Sequence, residues 1–472
     1  MNRRVTAQEF AKAAVIEAAT GAELGQYIVA TADDVDIAAR EAAAAQVAWA
    51  ETPFDRRAAI VREAARLLKE RGEETVGWLT REGGSIAPKA QWEVGMTVEQ
   101  MIQAASLAGM ASGELFPSSV PGRTNLWRRV PVGVVGVIAP WNFPLFLAMR
   151  SVAPALALGN SVILKPDPQA AISGGKVIAQ AFEDAGLPAG VLRLVQGGPS
   201  VGEAIVRHAL VNMVSFTGST AVGRLIGEIC GKMLKKVVLE LGGNNAIVVL
   251  PDADIEGAAS SAAWGAFLHQ GQICMQAGRI LVHREVADAL TAALTRRAKA
   301  LYVGDPVGQV HLGPLINDRQ AEKVQATVDR TVAMGAKVAT GGSRDGRFFQ
   351  PTVLTDVRPG TPAFDDEIFG PVAPVTTFDS DDEAVALVNA SPYGLAAGVH
   401  SASLGRAMNV AQRLRVGMVH INDQPVNCEP HVPFGGMGMS GNGGRFGGPA
   451  SLHEFTETQW LSWTDKPTQY PF

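Results

Sequence analysis

The stretch Val214-Ser215-Phe216-Thr217-Gly218-Ser219-Thr220-Ala221-Val222-Gly223 joins a short apolar strand to a helix that we expect to continue to about residue 233. Backbone N–H groups at such a helix start, with the positive end of the helix dipole, suit a pyrophosphate. The glycines alone are weak evidence, because their spacing is not G-x-G-x-x-G and a plain tight turn uses the same residues. The stretch predicts a strand–turn–helix unit with a candidate phosphate site.

Similar apolar β-branched runs alternate with helical patterns on both sides of this stretch. The expected strands are 134–138, 161–164, 192–195, 214–216, 246–249 and 280–282. The expected helices are 33–50, 57–71, 145–158, 172–185, 200–209, 255–268 and 286–300, with further units to about residue 440. This alternation predicts an α/β fold with open, doubly wound parallel sheets, whose ligands lie at the carboxyl ends of the strands.

Length and composition bound the class of protein. At 472 residues the chain is too long for one hydrophobic core, so two or three domains are expected. Charged residues make up 18% and the net charge is −5, which offers no basic surface for nucleic acid or anionic lipid. The apolar stretch 130–149 is interrupted by Pro131, Pro140 and Pro144, so we expect no membrane span.

The cysteines indicate a reducing compartment. Cys230, Cys274 and Cys428 are too few, and odd in number, for a disulfide framework. The start of the chain lacks the apolar segment of a signal peptide. We therefore expect a cytoplasmic protein.

Cys274 and Glu240 form the most informative pair of side chains. A thiol is a strong nucleophile as thiolate, and a nearby carboxylate can activate the water that releases a captured acyl group. An apolar-flanked cysteine is more often a buried structural residue, and Cys230 and Cys428 keep that interpretation. Glu240 follows the apolar run 237–239 and precedes Gly242-Gly243, so we expect it at the carboxyl end of a strand, where sites are built.

Six segments carry a resemblance to a known family. They are Pro140-Trp141-Asn142-Phe143-Pro144, Phe216-Thr217-Gly218-Ser219-Thr220, Glu240-Leu241-Gly242-Gly243, Gly271-Gln272-Ile273-Cys274, Glu367-Ile368-Phe369-Gly370-Pro371 and Pro433-Phe434-Gly435-Gly436. In this order and spacing the chain resembles the NAD(P)-dependent aldehyde dehydrogenases from about residue 30 to 460. The resemblance implies a Rossmann-type cofactor domain (1–112 and 131–242), an α/β catalytic domain (243–440) and bridging β-segments (113–130 and 441–472). It also implies a homodimer or homotetramer.

The resemblance implies three catalytic roles. Cys274 would attack the aldehyde carbonyl. The Asn142 side-chain amide and the Cys274 backbone N–H would hold the developing alkoxide. Glu240 would be the general base that activates the hydrolytic water, a residue that the CoA-acylating branch of the family usually lacks.

The cofactor implied by the resemblance is NAD or NADP. Its expected binding residues are Trp141, Lys165, Pro168, Gly198, Gly218, Ser219, Gly223, Leu241, Glu367 and Phe369. Most NAD-specific relatives carry a glutamate at position 168 that accepts from both ribose hydroxyls. Pro168 cannot bind the diol and does not repel a 2′-phosphate, which Lys165 could pair with. We therefore expect use of both cofactors.

Several departures from the common family pattern point to the substrate. His269, Ser151 and Arg445 replace a frequent asparagine, a lysine and a glutamate, so the usual proton relay cannot be transferred. These departures resemble the benzaldehyde and vanillin dehydrogenase branch. The expected apolar funnel for an aromatic ring is Phe143, Leu147, Leu268 and Phe434, with Phe146 beside them. We interpret His269 as a hydrogen-bonding scaffold for the Cys274 loop.

The sequence therefore predicts oxidation of an aromatic aldehyde to the acid through a Cys274 thiohemiacetal and thioester, with no metal ion. An aliphatic semialdehyde or CoA-acylating dehydrogenase is the first alternative, which Glu240 and the lack of an obvious cation for a second carboxylate oppose. A non-redox thiol esterase is an alternative from another class, and a catalytically inactive structural protein is a third. The 217–223 motif opposes the esterase, and the intact Asn142, Glu240 and Cys274 set opposes the inactive protein.

Overall fold

The computed structural model of the protein describes residues 11–110 and 112–472. Its α-helices, in chain order, are α1 (Ala32–Glu51), α2 (Phe54–Glu70), α3 (Gly72–Gly83), α4 (Ala87–Leu107), α5 (Pro144–Ala157), α6 (Val177–Asp184), α7 (Pro199–Arg207), α8 (Thr220–Lys232), α9 (Ile255–Phe267), α10 (Ala287–Lys299), α11 (Asp318–Ala333), α12 (Pro362–Asp365), α13 (Asp381–Asn389), α14 (Leu404–Ala411) and α15 (Gly448–Glu454). No helix in the described part of the chain is long and apolar enough to cross a membrane.

The strands, in chain order, are β1 (Lys12–Ile16), β2 (Glu23–Ile28), β3 (Gly113–Phe116), β4 (Arg123–Pro131), β5 (Val134–Ile138), β6 (Ser161–Lys165), β7 (Leu192–Leu194), β8 (Met213–Thr217), β9 (Lys236–Glu240), β10 (Asn245–Val249), β11 (Ala277–His283), β12 (Lys337–Thr340), β13 (Arg344–Asp345), β14 (Phe348–Phe349), β15 (Thr352–Thr355), β16 (Val372–Phe378), β17 (Tyr393–Gly394), β18 (Ala396–His400), β19 (Met418–Ile421), β20 (Met437–Gly438) and β21 (Thr456–Thr464). Pro168–Ala170, Leu268–Gly271 and Arg284–Val286 are 3₁₀ turns, and Ile172–Lys176 is a π turn.

A five-stranded parallel sheet, in the order β7-β6-β5-β8-β9, forms the first half of the fold. Its strands are apolar and mostly buried on both faces, as expected of a parallel sheet covered by helices. α5 packs on one face with α4, and α7 and α8 cover the other. The strand order reverses between β5 and β8, which marks a ligand crevice at their carboxyl ends. The predicted doubly wound α/β unit is confirmed.

One predicted helix differs in its first turn. Residues 172–185 were expected to form a single α-helix, and the structure has the π turn Ile172–Lys176 before α6. The carboxylate of Glu82 accepts the backbone N–H groups of Ile172 (3.0 Å) and Ser173 (2.8 Å) and so holds the start of this segment. In this wider turn, Gly174 packs against Pro144 and Gly175 packs against Pro166. A Cβ on Gly174 would lie 2.8 Å from Cβ of Pro144, so a larger residue does not fit there.

A seven-stranded sheet, in the order β12-β15-β16-β11-β10-β18-β19, forms the second half of the fold. All its neighbours are parallel except β12 and β15. A Gly242-Gly243 connection links β9 of the first sheet to β10 of the second, so the two sheets meet at the carboxyl end of β9.

A separate three-stranded antiparallel sheet, in the order β21-β4-β3, combines the two segments expected to bridge subunits. β4 and β21 pair along their whole length, from Arg123 with Thr464 to Pro131 with Thr456. The pairing agrees with a common sheet for these segments. Their role between subunits and the domain bounds given above stay predictions.

Candidate active site

The loop before Cys274 has an uncommon backbone. His269 and Gln270 lie in the left-handed region, with φ of 49° and 56°, which side chains other than glycine rarely adopt. Such residues persist only when their surroundings hold them. The Gln270 side-chain amide donates to the carbonyls of Gly84 (3.0 Å) and Pro314 (2.8 Å) and so anchors the loop.

Side-chain amides also fix Cys274 relative to neighbouring segments. Asn245 Nδ2 donates to the Cys274 carbonyl (2.9 Å), and Asn142 Nδ2 donates to the Gln272 carbonyl (2.9 Å). A Cβ on Gly243 would lie 2.7 Å from the Cys274 carbonyl oxygen, so only glycine fits there. The Asn142 amide has a second N–H, which leaves a donor beside the Cys274 loop.

A buried ion pair on α4 supports Asn142. Lys89 Nζ lies 2.5 Å from Glu93 Oε2 and donates to the Asn142 carbonyl (2.8 Å). Glu93 Oε1 accepts the backbone N–H groups of Leu145 (3.0 Å) and Phe146 (3.3 Å) at the start of α5. This pair was not apparent from the sequence, because a lysine and a glutamate four residues apart on a helix usually face solvent.

Glu240 lies at the carboxyl end of β9, as expected, and is buried. Its Oε1 has no hydrogen-bond partner among the residues described. Burial raises the pKa of Glu240 to about 8, and the nearby charges of Arg150 and Arg445 oppose this shift. An unpartnered carboxyl group whose pKa is near neutrality suits a general base.

Burial of the Cys274 thiol favours its protonated form. Burial raises its pKa to about 12, Arg150 lowers it, and the carboxyl groups of Glu240 and Glu367 raise it further. The Cys274 thiol is therefore close enough to Glu240 and Arg150 for their charges to act on it.

An apolar cavity of about 780 Å³ opens onto Cys274. Its wall includes all the residues of the expected funnel, with further aromatic rings from α4 and α9. These residues are Phe143, Phe146, Leu147, Leu268, Phe434, Trp92 and Trp264. The Trp92 ring meets the rings of Phe143 and Phe146 edge to face, with centroids 5.9 Å and 6.0 Å apart. Such a wall offers planar contacts to an aromatic ring.

Cations lie in the same wall, although no cation for a second carboxylate was apparent from the sequence. Lys89, Arg150 and Arg297 all line the cavity. The Arg150 guanidinium lies 3.7 Å from the centroid of the Phe434 ring. Cys428 also lines the cavity beside Arg150, and its interpretation as a structural cysteine stays a prediction.

The expected phosphate site lies at the start of α8. Ser219 is the N-cap residue, yet its side chain makes no capping hydrogen bond, so the first N–H groups of the helix have no side-chain acceptor. A Cβ on Gly223 would overlap the Leu241 side chain, which explains the glycine. Gly218 has a similar reason, because a Cβ there would lie 2.5 Å from the Phe216 ring. Gly198 is the N-cap residue of α7, also without a side-chain cap.

Lys165 and Pro168 lie beyond the end of β6. Lys165 is buried, and its Nζ donates to the Pro166 carbonyl (3.1 Å). Burial lowers the pKa of Lys165, and the Asp167 charge opposes this shift. The Asp167 carboxylate accepts the Gln169 N–H (2.9 Å) and caps the 3₁₀ turn that Pro168 begins. Asp167 therefore offsets part of the charge that Lys165 offers to a 2′-phosphate.

Glu367, Phe369 and Trp141 lie where the two sheets meet. Glu367 Oε1 accepts the Gly243 N–H (3.0 Å), and burial raises the pKa of Glu367 to about 7. The rings of Trp141 and Phe369 pack edge to face, with centroids 5.5 Å apart, and Phe369 has a φ of 56°. The residues expected to hold a nicotinamide ribose and ring are thus close to the Cys274 loop.

His269, Ser151 and Arg445, the three departures from the common family pattern, have different surroundings. Both ring nitrogens of His269 are buried without a hydrogen-bond partner among the described residues, and the ring packs against Phe143 with centroids 5.4 Å apart. The ring also lies near the Asn142 backbone, and the hydrogen-bonding role expected of His269 stays a prediction. Ser151 pairs with Ser215 (2.8 Å), and Arg445 places its charge near Glu240. No group of three potential metal-ligating His, Cys, Asp or Glu side chains occurs within residues 11–110 and 112–472.

Comparisons with known proteins agree with the motifs. The aldehyde dehydrogenase family model matches residues 5–461. The chain is 61% identical over 459 residues to the benzaldehyde dehydrogenase [NAD(+)] of Pseudomonas putida, covering 97% of this chain and 94% of that protein. It is 51% identical over 462 residues to a vanillin dehydrogenase of an Amycolatopsis species, covering 98% and 95%. The expected resemblance is confirmed.

Solved structures show the same fold. Betaine aldehyde dehydrogenase from Staphylococcus aureus, in complex with NAD+, superposes with a TM-score of 0.94 at 31% identity, over 98% of this chain and 93% of that one. A glyceraldehyde-3-phosphate dehydrogenase from Methanocaldococcus jannaschii, complexed with NADP, superposes with a TM-score of 0.92 at 32% identity, over 97% and 100%. The predicted fold class is confirmed.

Proposed function

The chain belongs to the aldehyde dehydrogenase family, and we propose that it oxidises an aromatic aldehyde to the carboxylic acid with NAD or NADP as the hydride acceptor. The observation that carries this proposal is the aromatic cavity that opens onto Cys274. The similarity to benzaldehyde and vanillin dehydrogenases supports the same substrate class.

The first half of the proposed reaction takes place on Cys274. The thiol loses its proton to solvent, its thiolate adds to the aldehyde carbon, and the carbonyl oxygen becomes the alkoxide of a thiohemiacetal. The free N–H of the Asn142 amide and the Cys274 backbone N–H are the proposed donors to that oxygen. When bound, NAD or NADP supplies the acceptor for the hydride that leaves this carbon.

The second half of the proposed reaction is hydrolysis of the Cys274 thioester. Glu240 takes a proton from water while the oxygen of that water adds to the thioester carbon. The thiolate of Cys274 then leaves, and the carboxylic acid is released. The unpartnered, buried oxygen of Glu240 supports this assignment.

The residues along the first sheet fit a dinucleotide. Helix α8 begins with N–H groups that no side chain caps, which suits a pyrophosphate between Gly218 and Gly223. Lys165, Pro168 and Gly198 would hold the adenosine half. Leu241, Glu367, Phe369 and Trp141 would hold the nicotinamide half.

An aliphatic aldehyde with a terminal carboxylate is a second candidate substrate, because Lys89, Arg150 and Arg297 line the cavity. A substrate panel separates the candidates. We expect benzaldehyde and vanillin to give higher kcat/KM than succinic semialdehyde and than a straight-chain aldehyde of similar size, with the free acid as product. Preference for the semialdehyde would overturn the aromatic assignment. If the protein hydrolyses an ester but forms no NADH or NADPH from any aldehyde, the dehydrogenase assignment is overturned. Formation of an acyl-CoA in the presence of CoA would overturn the assignment of the hydrolytic step.

A further inference from the structure

A buried guanidinium lies in the cavity wall without a carboxylate partner. Arg150 is only 5% exposed and forms no salt bridge within the described ranges 11–110 and 112–472, and its hydrogen-bond partner is the Cys428 side chain. Its charge centre lies 3.7 Å from the Phe434 ring centroid and 4.8 Å from that of Phe146. A buried, unpaired charge is costly, and cation–π contacts offset only part of that cost. The arrangement indicates that an anion reaches Arg150 at some stage.

The helix α5 aims Arg150 at the same space as Cys274. Phe146, Leu147 and Arg150 are four and three residues apart on this helix, so they share one face, and all three line the cavity with Cys274. Ser151, the next residue, is turned into a hydrogen bond with Ser215 (2.8 Å) and brings no charge. Arg150 is therefore the cation that α5 contributes to the nucleophile's side of the cavity.

The groups around Arg150 are acids whose charged forms are disfavoured at rest. Burial raises the pKa values of Cys274, Glu240 and Cys428, and Arg150 opposes the shift in each. Other charges face these acids as well. Glu240, Glu367 and Cys428 raise the pKa of Cys274, Arg445 lowers that of Glu240, and Glu429 raises that of Cys428. Among these neighbours, Arg150 is the one whose charge favours the Cys274 thiolate.

We propose that Arg150 is the counter-charge of the Cys274 thiolate. The proposal rests on the proposed function, in which Cys274 is the nucleophile. When the thiol loses its proton to solvent, the new negative charge forms against a wall of aromatic rings. The guanidinium, fixed between Phe434 and Phe146, is already in place for that charge and needs no rearrangement.

The test is alkylation of Cys274 by iodoacetamide at pH 8, followed by mass spectrometry of its peptide. Below the thiol pKa, the alkylation rate follows the thiolate fraction. We expect Arg150→Gln to slow alkylation by about tenfold, the change that one pKa unit produces. Arg150→Lys, which keeps a positive charge, should stay within about threefold of the wild-type rate, because a point charge replaces the planar fork.

Cys230, a fully buried residue of α8, is the internal control for folding. It should stay unmodified in every variant, and Arg150→Met serves as a second neutral variant if Arg150→Gln exposes Cys230. An unchanged Cys274 alkylation rate in a folded neutral variant would overturn the proposal. Equal losses in the lysine and glutamine variants would also overturn it. Because alkylation needs no aldehyde turnover, the proposed substrate can fail while Arg150 keeps this role.

Discussion

Two regions of the molecule differ in the groups available to bind or stabilise charge. One is the cavity at Cys274, and the other is the cofactor edge of the first sheet, meaning the residues at the starts of α7 and α8 and at the end of β6. Around Cys274, buried side chains carry it, namely Glu240, Arg150 and the Lys89–Glu93 pair. Along the cofactor edge, the backbone N–H groups at the start of α8 and α7 lack side-chain caps. We therefore expect substitutions in the first region to impair the chemistry most, and single substitutions in the second region to change cofactor choice.

Removing the nucleophile is the largest test of this comparison. We expect Cys274→Ser to lower kcat by about 10³-fold or more, because a hydroxyl is far less nucleophilic than a thiolate at neutral pH. Cofactor binding, measured by the quenching of tryptophan fluorescence, should change little. Cys230→Ser is the matched control and should retain most activity. Substantial dehydrogenase activity in Cys274→Ser would show that another residue attacks the aldehyde.

The reduction in kcat on removing the proposed oxyanion donor is expected to be nearly as large. Asn142→Ala should reduce kcat by about 10²–10³-fold, the usual effect of removing one such donor. It also removes the hydrogen bond to the Gln272 carbonyl, so circular dichroism should accompany the steady-state kinetics. Ser151→Ala removes a buried hydrogen bond on α5 and serves as the control. Equal losses in the two variants would mean that packing, and not oxyanion stabilisation, explains the effect.

A substitution on the cofactor edge should have a smaller and selective effect. Pro168→Glu should lower kcat/KM for NADP⁺ relative to NAD⁺ by about 5- to 150-fold, since a like-charge clash there is worth roughly 1–3 kcal/mol. The Asp167 carboxylate, already near Lys165, favours the lower end of this range. Pro168→Ala controls for the backbone of the 3₁₀ turn. A loss shared equally by both cofactors would show that Pro168 serves backbone shape.

The pH dependence gives the smallest expected change. Glu240 acts as a base only when ionised, and its pKa of about 8 leaves roughly a tenth of it ionised at pH 7. Thioester hydrolysis should therefore rise about tenfold between pH 7 and pH 9 and decline as the pH falls through 8. The slow phase after rapid mixing reports this rate. A midpoint near the ordinary glutamate value would show that burial does not raise the pKa of Glu240.

The two regions also differ in how far the sequence predicts them. The sheets follow from runs of β-branched residues such as Val134–Ile138, and Cys274, Glu240 and Asn142 follow from local motifs. Arg150 was missed because it lies in an apolar helix, and its neighbours Cys428 and Phe434 are about 280 positions away in the chain. Local patterns cannot show that a cation on α5 shares a cavity with residues so remote.

Hydrogen-bond partners were equally inaccessible from the sequence. His269 was expected to donate or accept in the Cys274 loop, whereas the amides of Gln270, Asn142 and Asn245 hold that loop. Their acceptors are backbone carbonyls in other segments, which no residue pattern records. The tertiary structure therefore determines which polar residues support the nucleophile.

In the proposed mechanism, Cys274 and Glu240 divide the reaction into two halves. The decisive measurement is rapid mixing of Glu240→Gln with aldehyde and cofactor, because glutamine keeps the shape and removes the base. We expect a burst of about one reduced cofactor per active site, followed by very slow turnover, with an acyl group on Cys274 detected by mass spectrometry of the intact protein. Loss of the burst itself would disprove this division and place Glu240 before hydride transfer, in activation of the thiol.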